Sequence, residues 1–169
     1  MALALVGTLL APPLAEAASP VTTEKNGVAA TAAQAASSAH AYRTRASELM
    51  KGYQTRFGPR LTSDERSRVD TLTRQGLTAL RTLDARAQRT AYLARTGASP
   101  KRVNQARQAA IDAHTQATTQ LRGALTELQP LLARHLGILE ALRAKADLDQ
   151  AMRDLDALGE TLRGVPPSR

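Results

Sequence analysis

The N-terminal third of the chain repeats small apolar residues at steps of three and four positions. The members of this series are Val28, Ala32, Ala35, Ala39, Tyr42, Ala46, Leu49 and Tyr53. Such spacing places every member on one face of an α-helix. It predicts a first helix from about Val28 to Phe57. Gly58-Pro59 should end this helix, because glycine tolerates the left-handed conformation just past a helix and proline cannot continue one.

Two further segments have the same apolar period and clear start signals. Thr62 followed by Glu65 forms a capping box, which predicts the start of a second helix, and Gly97 predicts its end. Ser99-Pro100 fits the N-cap and the first-turn proline of a third helix. The apolar positions of these two helices are Val69, Leu72, Leu80, Leu83, Ala87, Ala91 and Ala94, then Val103, Ala106, Ala110, Ala113, Ala117 and Leu121.

The end of the third helix has two interpretations. In the first, Gly123 ends the helix, Thr126 caps a fourth one, and Pro130 falls in the first turn, where its missing N–H is harmless. In the second, one long helix reaches Leu162 and Pro130 kinks it. We favour the turn, because Thr126 and Gln129 form a second capping box. The apolar positions of the last helix are Leu132, Leu139, Leu142, Ala146, Leu148, Met152, Leu155 and Leu162.

Short connections between long helices force neighbours to run antiparallel. The sequence therefore predicts an all-α antiparallel four-helix bundle with coiled-coil-like packing over residues 28–164. Two long helical hairpins that pair with a second copy are the alternative. We expect a disordered lead-in at residues 18–27 and a disordered tail at residues 165–169. The aromatic fraction of 2% disfavours a β-sandwich or an α/β fold.

Residues 1–17 fit a secretory signal peptide. An apolar run from Ala2 to Ala11 is broken by Pro12-Pro13, and Ala15-Glu16-Ala17 matches the small-x-small cleavage pattern. No Lys or Arg follows Met1, so either the true start lies upstream or the signal is atypical; a plain apolar N-terminus is the alternative. The run is too short for a permanent membrane span, so the pattern predicts export to the periplasm or the medium. The chain has no cysteine, which excludes a lipoprotein anchor and disulfides.

The formal net charge of +8 is unevenly distributed along the chain. Residues 43–107 hold fifteen bases against five acids, whereas residues 123–169 hold six bases against seven acids. The basic segment predicts a ridge of arginines that can bind phosphate or carboxylate groups. The members of this basic ridge are Arg74, Arg81, Arg86, Arg89, Arg95, Arg102 and Arg107. The alternative is a solvated face that pairs with the acidic last helix.

The sequence predicts no enzyme, no cofactor and no metal site. The three histidines are His40, His114 and His135. They lie on different predicted helices, and none has a carboxylate or a second histidine four residues away, as a local metal pair would need. Nucleic acid is disfavoured as a partner because no series of aromatic side chains is available for stacking. A membrane surface is disfavoured because the first helix lacks large apolar residues.

The last predicted helix carries three carboxylates at steps of seven residues, namely Glu140, Asp147 and Asp154. Such a row could bind cations. Arg143 and Arg153 lie within ion-pair reach along the same helix. We therefore interpret the row as a solvated face whose charges are paired.

Two short motifs share the same opening residues: Leu61-Thr62-Ser63-Asp64-Glu65 and Leu125-Thr126-Glu127-Leu128-Gln129. They resemble the paired Leu-Thr-x-x-Gln motifs of periplasmic stress chaperones and their metal-resistance relatives, with Glu65 in place of Gln in the first motif. The resemblance implies a small exported helical protein that forms cradle-like dimers and binds unfolded or aggregating proteins without ATP.

These features together predict a non-enzymatic exported binding protein that is chaperone-like toward envelope proteins. The basic ridge and shallow apolar contacts would hold the partner. The alternative is a structural subunit that assembles with itself, as a homodimer, or with another helical protein. An anionic envelope polymer is a further candidate partner, and no transmembrane segment is expected in the mature chain.

Overall fold

The computed structural model describes residues 20–168, with side chains from Asn26 onward. Within this range the chain forms four α-helices and no strand. The helices are α1 (Pro20–Phe57), α2 (Ser63–Arg95), α3 (Pro100–His135) and α4 (Ile138–Arg163), and a short 3₁₀ turn (Gly58–Arg60) follows α1. The predicted signal peptide at 1–17 lies outside the described residues.

The four helices form an antiparallel bundle, which confirms the predicted fold class. All three connections are short, so each helix packs beside its neighbour in the chain. The most extensive contacts join α2 to α1 and to α3, while α4 packs less closely on α3 and α1. Because α2 and α4 both pack on α1 and α3, they occupy opposite corners of the bundle, and their outer faces point in opposite directions.

Local signals in the sequence fix both ends of α2. The Thr62 hydroxyl accepts from the Glu65 N–H at 3.3 Å, and a Glu65 carboxylate oxygen accepts from the Thr62 N–H at 3.1 Å. This reciprocal pair is the predicted capping box. At the other end, Gly97 adopts a φ of 68°, and the Ala98 N–H donates to the Leu93 carbonyl at 3.1 Å. A left-handed glycine therefore ends α2, as predicted.

The predicted alanine stripe of α1 forms part of the main core. Six of its eight members are buried, namely Val28, Ala32, Ala35, Ala39, Tyr42 and Ala46. All six predicted apolar positions of α3 from Val103 to Leu121 are buried as well. Alanine at these positions lets the helix backbones approach closely, but each one buries less apolar area than leucine would. The largest fully buried side chains are Leu80, Leu83, Leu155 and Val165.

Two predicted disordered segments are instead ordered where the structure describes them. Helix α1 begins at Pro20 rather than near Val28, so residues 20–27 are helical. A proline is well tolerated in a first helical turn, where its missing N–H has no partner to lose. At the other end, Val165 is buried in the core, and the Ser168 N–H donates to Asn104 Oδ1 at 2.9 Å. The tail through residue 168 therefore packs against α3.

The favoured turn at residues 123–130 is wrong. Helix α3 continues through Pro130 to His135, and the Thr126 hydroxyl donates to the Arg122 carbonyl inside the helix at 3.0 Å instead of capping a new one. An interior proline usually costs about 3 kcal/mol. Partial burial of the neighbouring Leu128, Leu131 and Leu132 opposes this cost. The alternative of one helix reaching Leu162 is also wrong, because the chain turns at Leu136-Gly137 and a separate helix, α4, begins at Ile138.

The predicted apolar stripe of α4 is only partly buried. Leu155 and Leu162 lie in the core, whereas Leu139, Leu142 and Ala146 are exposed. The start of α4 after Gly137 sets the rotation of the helix. Its buried positions follow the series of Ala144, Leu155, Leu158 and Leu162. Leu148 is half-buried on the same side and lines the cleft described below, whereas Leu139 and Leu142 lie on the opposite side.

Candidate functional site

Five of the seven ridge arginines lie on the outer side of α2. They are Arg74, Arg81, Arg86, Arg89 and Arg95, and all five are exposed. We call this group the basic face of α2. The core-facing residues of the same helix, such as Leu80 and Leu83, point the other way. The basic face is therefore directed away from α4.

The other two ridge residues lie on α3 and differ from each other. Arg102 is exposed in the first turn of α3. Arg107 is only half-exposed, and its guanidinium donates to the Arg163 carbonyl at 3.3 Å. A positive charge at a helix C-terminus stabilises the helix dipole. Arg107 thus holds the end of α4 and is not part of an open ridge, which corrects the prediction.

Most arginines outside the basic face are paired with acids. Examples are Arg43 with Asp84, Arg60 with Glu140, Arg68 with Glu127, Arg122 with Asp156 and Arg134 with Glu65. By contrast, the arginines of the basic face form no ion pair with any carboxylate among residues 26–168. The alternative of a solvated face fits these exposed side chains, but the pairing with the acidic last helix that it included is absent for α2 among the described residues. The reason is geometric, since α4 occupies the opposite corner.

An apolar cleft lies at the end of the bundle where α1 and α3 finish and α2 and α4 begin. Its volume is about 330 Å³, and all four helices contribute to its walls. The lining includes Phe57, Leu61, Leu121, Leu125, Leu128 and Leu132. Clefts of this size with mostly apolar walls are typical of ligand-binding sites. The sequence did not predict this cleft, because it depends on how four separate segments meet.

At the same end of the bundle, on the outer side of α4, the first two turns of this helix present large aliphatic side chains to solvent. Ile138 is 82% exposed, Leu139 72% and Leu142 59%. We call these three residues the apolar strip. Single exposed leucines are common on protein surfaces, but a cluster of this kind marks an interaction site more often. The apolar strip and the cleft lie at the same end of the molecule.

Charged groups surround this end and form ion pairs between its helices. His135 Nε2 lies 2.9 Å from one carboxylate oxygen of Glu65, and an Arg134 guanidinium nitrogen lies 3.1 Å from the other. The His135 ring and the capping bond from the Thr62 N–H lower the pKa of Glu65 to about 2. Glu65 therefore links the start of α2 to the end of α3 while it is ionised.

This linkage predicts an acid-sensitive contribution to stability. The folded-state pKa of Glu65 lies below its ordinary value of 4.5. The contribution of Glu65 to the free energy of unfolding should be complete above pH 4.5 and should decrease as the pH falls toward about 2. Glu65→Gln should therefore lower the urea midpoint of unfolding at pH 7, and the difference from the wild type should shrink between pH 5 and pH 2. The variant keeps a capping residue, because glutamine also serves at this position.

A matched control uses Glu48, which is exposed on α1. Glu48→Gln should leave the urea midpoint near that of the wild type at every pH. A constant difference between Glu65→Gln and the wild type from pH 7 to pH 2 would contradict the linkage.

Two of the three carboxylates in the row on α4 form ion pairs, although not with the predicted partners, and the third, Asp147, accepts from the Tyr53 hydroxyl instead. Glu140 lies 2.7 Å from Arg60 and 3.2 Å from Arg56, and both arginines lower its pKa. Asp154 lies 3.8 Å from Arg45. These partners come from α1 and from the 3₁₀ turn after it. Arg143 and Arg153, which were expected to pair along α4, form no ion pair within the described part of the chain.

Two tyrosines of α1 donate hydrogen bonds to residues of α4. The Tyr42 hydroxyl donates to the Ala151 carbonyl at 3.0 Å, and burial together with nearby Asp154 raises the pKa of Tyr42 to about 12. The Tyr53 hydroxyl donates to Asp147 Oδ2 at 2.9 Å, and burial and this carboxylate raise its pKa. Both phenols are therefore protonated donors at neutral pH.

The three histidines lie in three different environments and contact different residues. His40 is exposed beside Asp84 at 3.3 Å, and His135 contacts Glu65. His114 is buried, and its Nε2 donates to the Leu155 carbonyl at 2.8 Å. Both carboxylate contacts join different helices, so the search along each single helix missed them. Among the described residues no group of three or more His, Asp or Glu side chains could hold a metal ion.

Comparisons of the chain with protein-family models, with curated proteins and with solved structures find no match. None of the helices described is long and apolar enough to cross a membrane. The interpretation of the surface therefore depends on its own chemistry.

Proposed function

We propose that this protein is a non-enzymatic, exported binding protein that holds apolar segments of other polypeptides at the open end of its bundle. The observation that carries the proposal is the apolar strip of Ile138, Leu139 and Leu142, which lies exposed at the same end of the bundle as the cleft. An apolar groove with a neighbouring aliphatic surface suits the apolar face of a partner helix. The resemblance to Leu-Thr-x-x-Gln stress chaperones and the signal-like residues 1–17 also support the proposal.

Two properties of the site favour temporary binding over permanent assembly. The strip contains three side chains, and a stable interface usually buries about 800 Å² on each partner. The rim carries ion pairs such as Arg60 with Glu140 and Arg134 with Glu65, which keep the surrounding surface hydrated. A weak apolar contact within a polar rim fits a protein that captures and releases clients.

An aggregation-suppression assay tests this function. The variant Ile138→Ser, Leu139→Ser, Leu142→Ser should protect a thermally aggregating client several-fold less well than the wild type. Its thermal stability should change little, because substitutions of exposed residues usually alter stability by less than about 0.5 kcal/mol each. Tyr92→Ser is the matched control, since Tyr92 is the other large apolar side chain that the described surface exposes, at 57%. Full protection by the triple variant would contradict the proposal.

The same strip supports a second candidate function, assembly with another copy of the chain. Sedimentation equilibrium distinguishes the two candidates. A wild-type dimer that the triple serine variant converts to a monomer would favour assembly. A monomeric wild type that still suppresses aggregation would favour client binding.

A further inference from the structure

The basic face of α2 belongs to a long stretch of sequence that is poor in acidic residues. Residues 71–111 contain eight bases and one acid. The bases are Arg74, Arg81, Arg86, Arg89, Arg95, Lys101, Arg102 and Arg107. The acid is Asp84, which is buried and lies 3.1 Å from Arg43 Nε of α1. Apart from Arg107, which contacts the end of α4, these bases are exposed and form no ion pair among the described residues. One acid of another helix, Glu48 of α1, lines the same groove as Arg81.

The arginines of this face follow the axis of the helix. Arg74, Arg81 and Arg95 recur in heptad phase, and the line from the first to the last spans about 32 Å at the usual rise per residue. Arg81, Arg86 and Arg89 surround a shallow surface groove, whose floor includes Thr78, Thr82 and Ala85. Arg86 and Arg95, nine positions apart, lie about half a turn from each other around the axis. The basic face is thus an open, elongated surface and not a compact pocket.

The residues between the arginines indicate which kind of anion fits. The neighbouring outward positions include Gln75, Thr78, Thr82, Ala85 and Gln88. A protein partner would need an apolar centre in its interface, and this face offers only the single exposed ring of Tyr92. A single-stranded nucleic acid would need several aromatic rings for base stacking. The face suits a linear anion that is recognised by charge alone.

We propose that the basic face of α2 binds linear inorganic polyphosphate, with the chain lying along the helix axis. Guanidinium groups bind phosphate oxygens through two parallel N–H···O bonds, and they stay charged at any physiological pH. Spaced arginines along one helix can contact successive parts of one flexible chain. The inference is independent of the proposed function, since the apolar strip lies on α4 at the opposite corner of the bundle.

Binding of long-chain inorganic polyphosphate, measured by fluorescence anisotropy at two salt concentrations, tests the inference. The variant Arg81→Gln, Arg89→Gln should weaken binding by about tenfold, because it removes two charge-assisted contacts to phosphate that solvent weakens at an exposed surface. It should also reduce the salt dependence of the affinity, because fewer counterions are exchanged. The matched control is Arg143→Gln, Arg153→Gln on α4, which removes the same two charges from the +8 total and should stay within about twofold of the wild type.

Three results would overturn the inference. The first is equal weakening by both variants, which would mean that net charge alone attracts the polymer. The second is tighter binding of duplex or single-stranded DNA than of polyphosphate at equal phosphate concentration and salt. The third is no binding by the wild type at low salt. All substituted residues are exposed, so each variant should retain the circular-dichroism spectrum and melting temperature of the wild type.

Discussion

Leu155→Ala is expected to lower the free energy of unfolding by about 2–5 kcal/mol, whereas Leu142→Ala on the same helix is expected to change it by less than about 0.5 kcal/mol. Leu155 is 0% exposed and belongs to the main core, while Leu142 is 59% exposed on the apolar strip. Truncation of the first leucine leaves a cavity among packed side chains. Truncation of Leu142 removes a side chain that is already mostly exposed to water.

Urea unfolding of both variants at pH 7 provides the measurement. The two substitutions remove the same atoms from the same helix, so differences in helix propensity cancel. Equal destabilisation by both variants would mean that α4 also buries Leu142, and the apolar strip would then not exist as a surface. This comparison therefore tests the basis of the proposed function without any assay of binding.

The alanine stripes of α1 and α3 were predictable from the sequence because each is set by the period of one helix. In these two helices the residue series at steps of three and four coincides with the buried face, whereas in α4 the longer apolar series left more than one face possible. The capping box at Thr62 and the left-handed Gly97 were predictable for the same reason, since both depend on residues close in the chain. The fold class follows from these local signals and the short connections.

The boundary between α3 and α4 was not predictable from local signals alone. Thr126 and Gln129 have the composition of a cap, and Pro130 suits a first turn, so local preference favoured a break there. In the bundle, α3 extends to His135, where Leu136 is buried with Phe57 and Ala144 in a small cluster at the cleft end. Tertiary packing at this end decides where the helix stops.

The candidate site was predictable only in part. Heptad phase placed Arg74, Arg81 and Arg95 on one face of a helix, and all three are exposed in the structure, while their role in binding stays a prediction. Nothing in the local sequence could place Arg107 against the end of α4 or assemble the apolar cleft. Those features depend on contacts between segments that are distant in the chain.

Gly159→Ala is expected to destabilise the protein by about 1–3 kcal/mol, although alanine is the better helix former by about 1 kcal/mol. A Cβ at position 159 would lie 2.7 Å from Nε2 of the His114 ring and closer still to Cε1. The ring cannot move aside easily, because it is buried and its Nε2 donates to the Leu155 carbonyl at 2.8 Å. Helices α3 and α4 would have to separate, or this hydrogen bond would have to break.

Gly76→Ala is the matched control, since Gly76 is also a buried glycine inside a helix. A Cβ there would lie 2.9 Å from Leu121 Cδ2, a methyl group at the end of a flexible side chain, and 3.5 Å from Met50 Cε. The control variant should stay within about 1 kcal/mol of the wild type, because relief of the contact and the gain in helix propensity oppose each other. The double variant His114→Ala, Gly159→Ala should be less destabilised than the sum of its single changes, since removal of the ring removes the clash. Additive effects in urea unfolding would show that the ring does not set the spacing between α3 and α4.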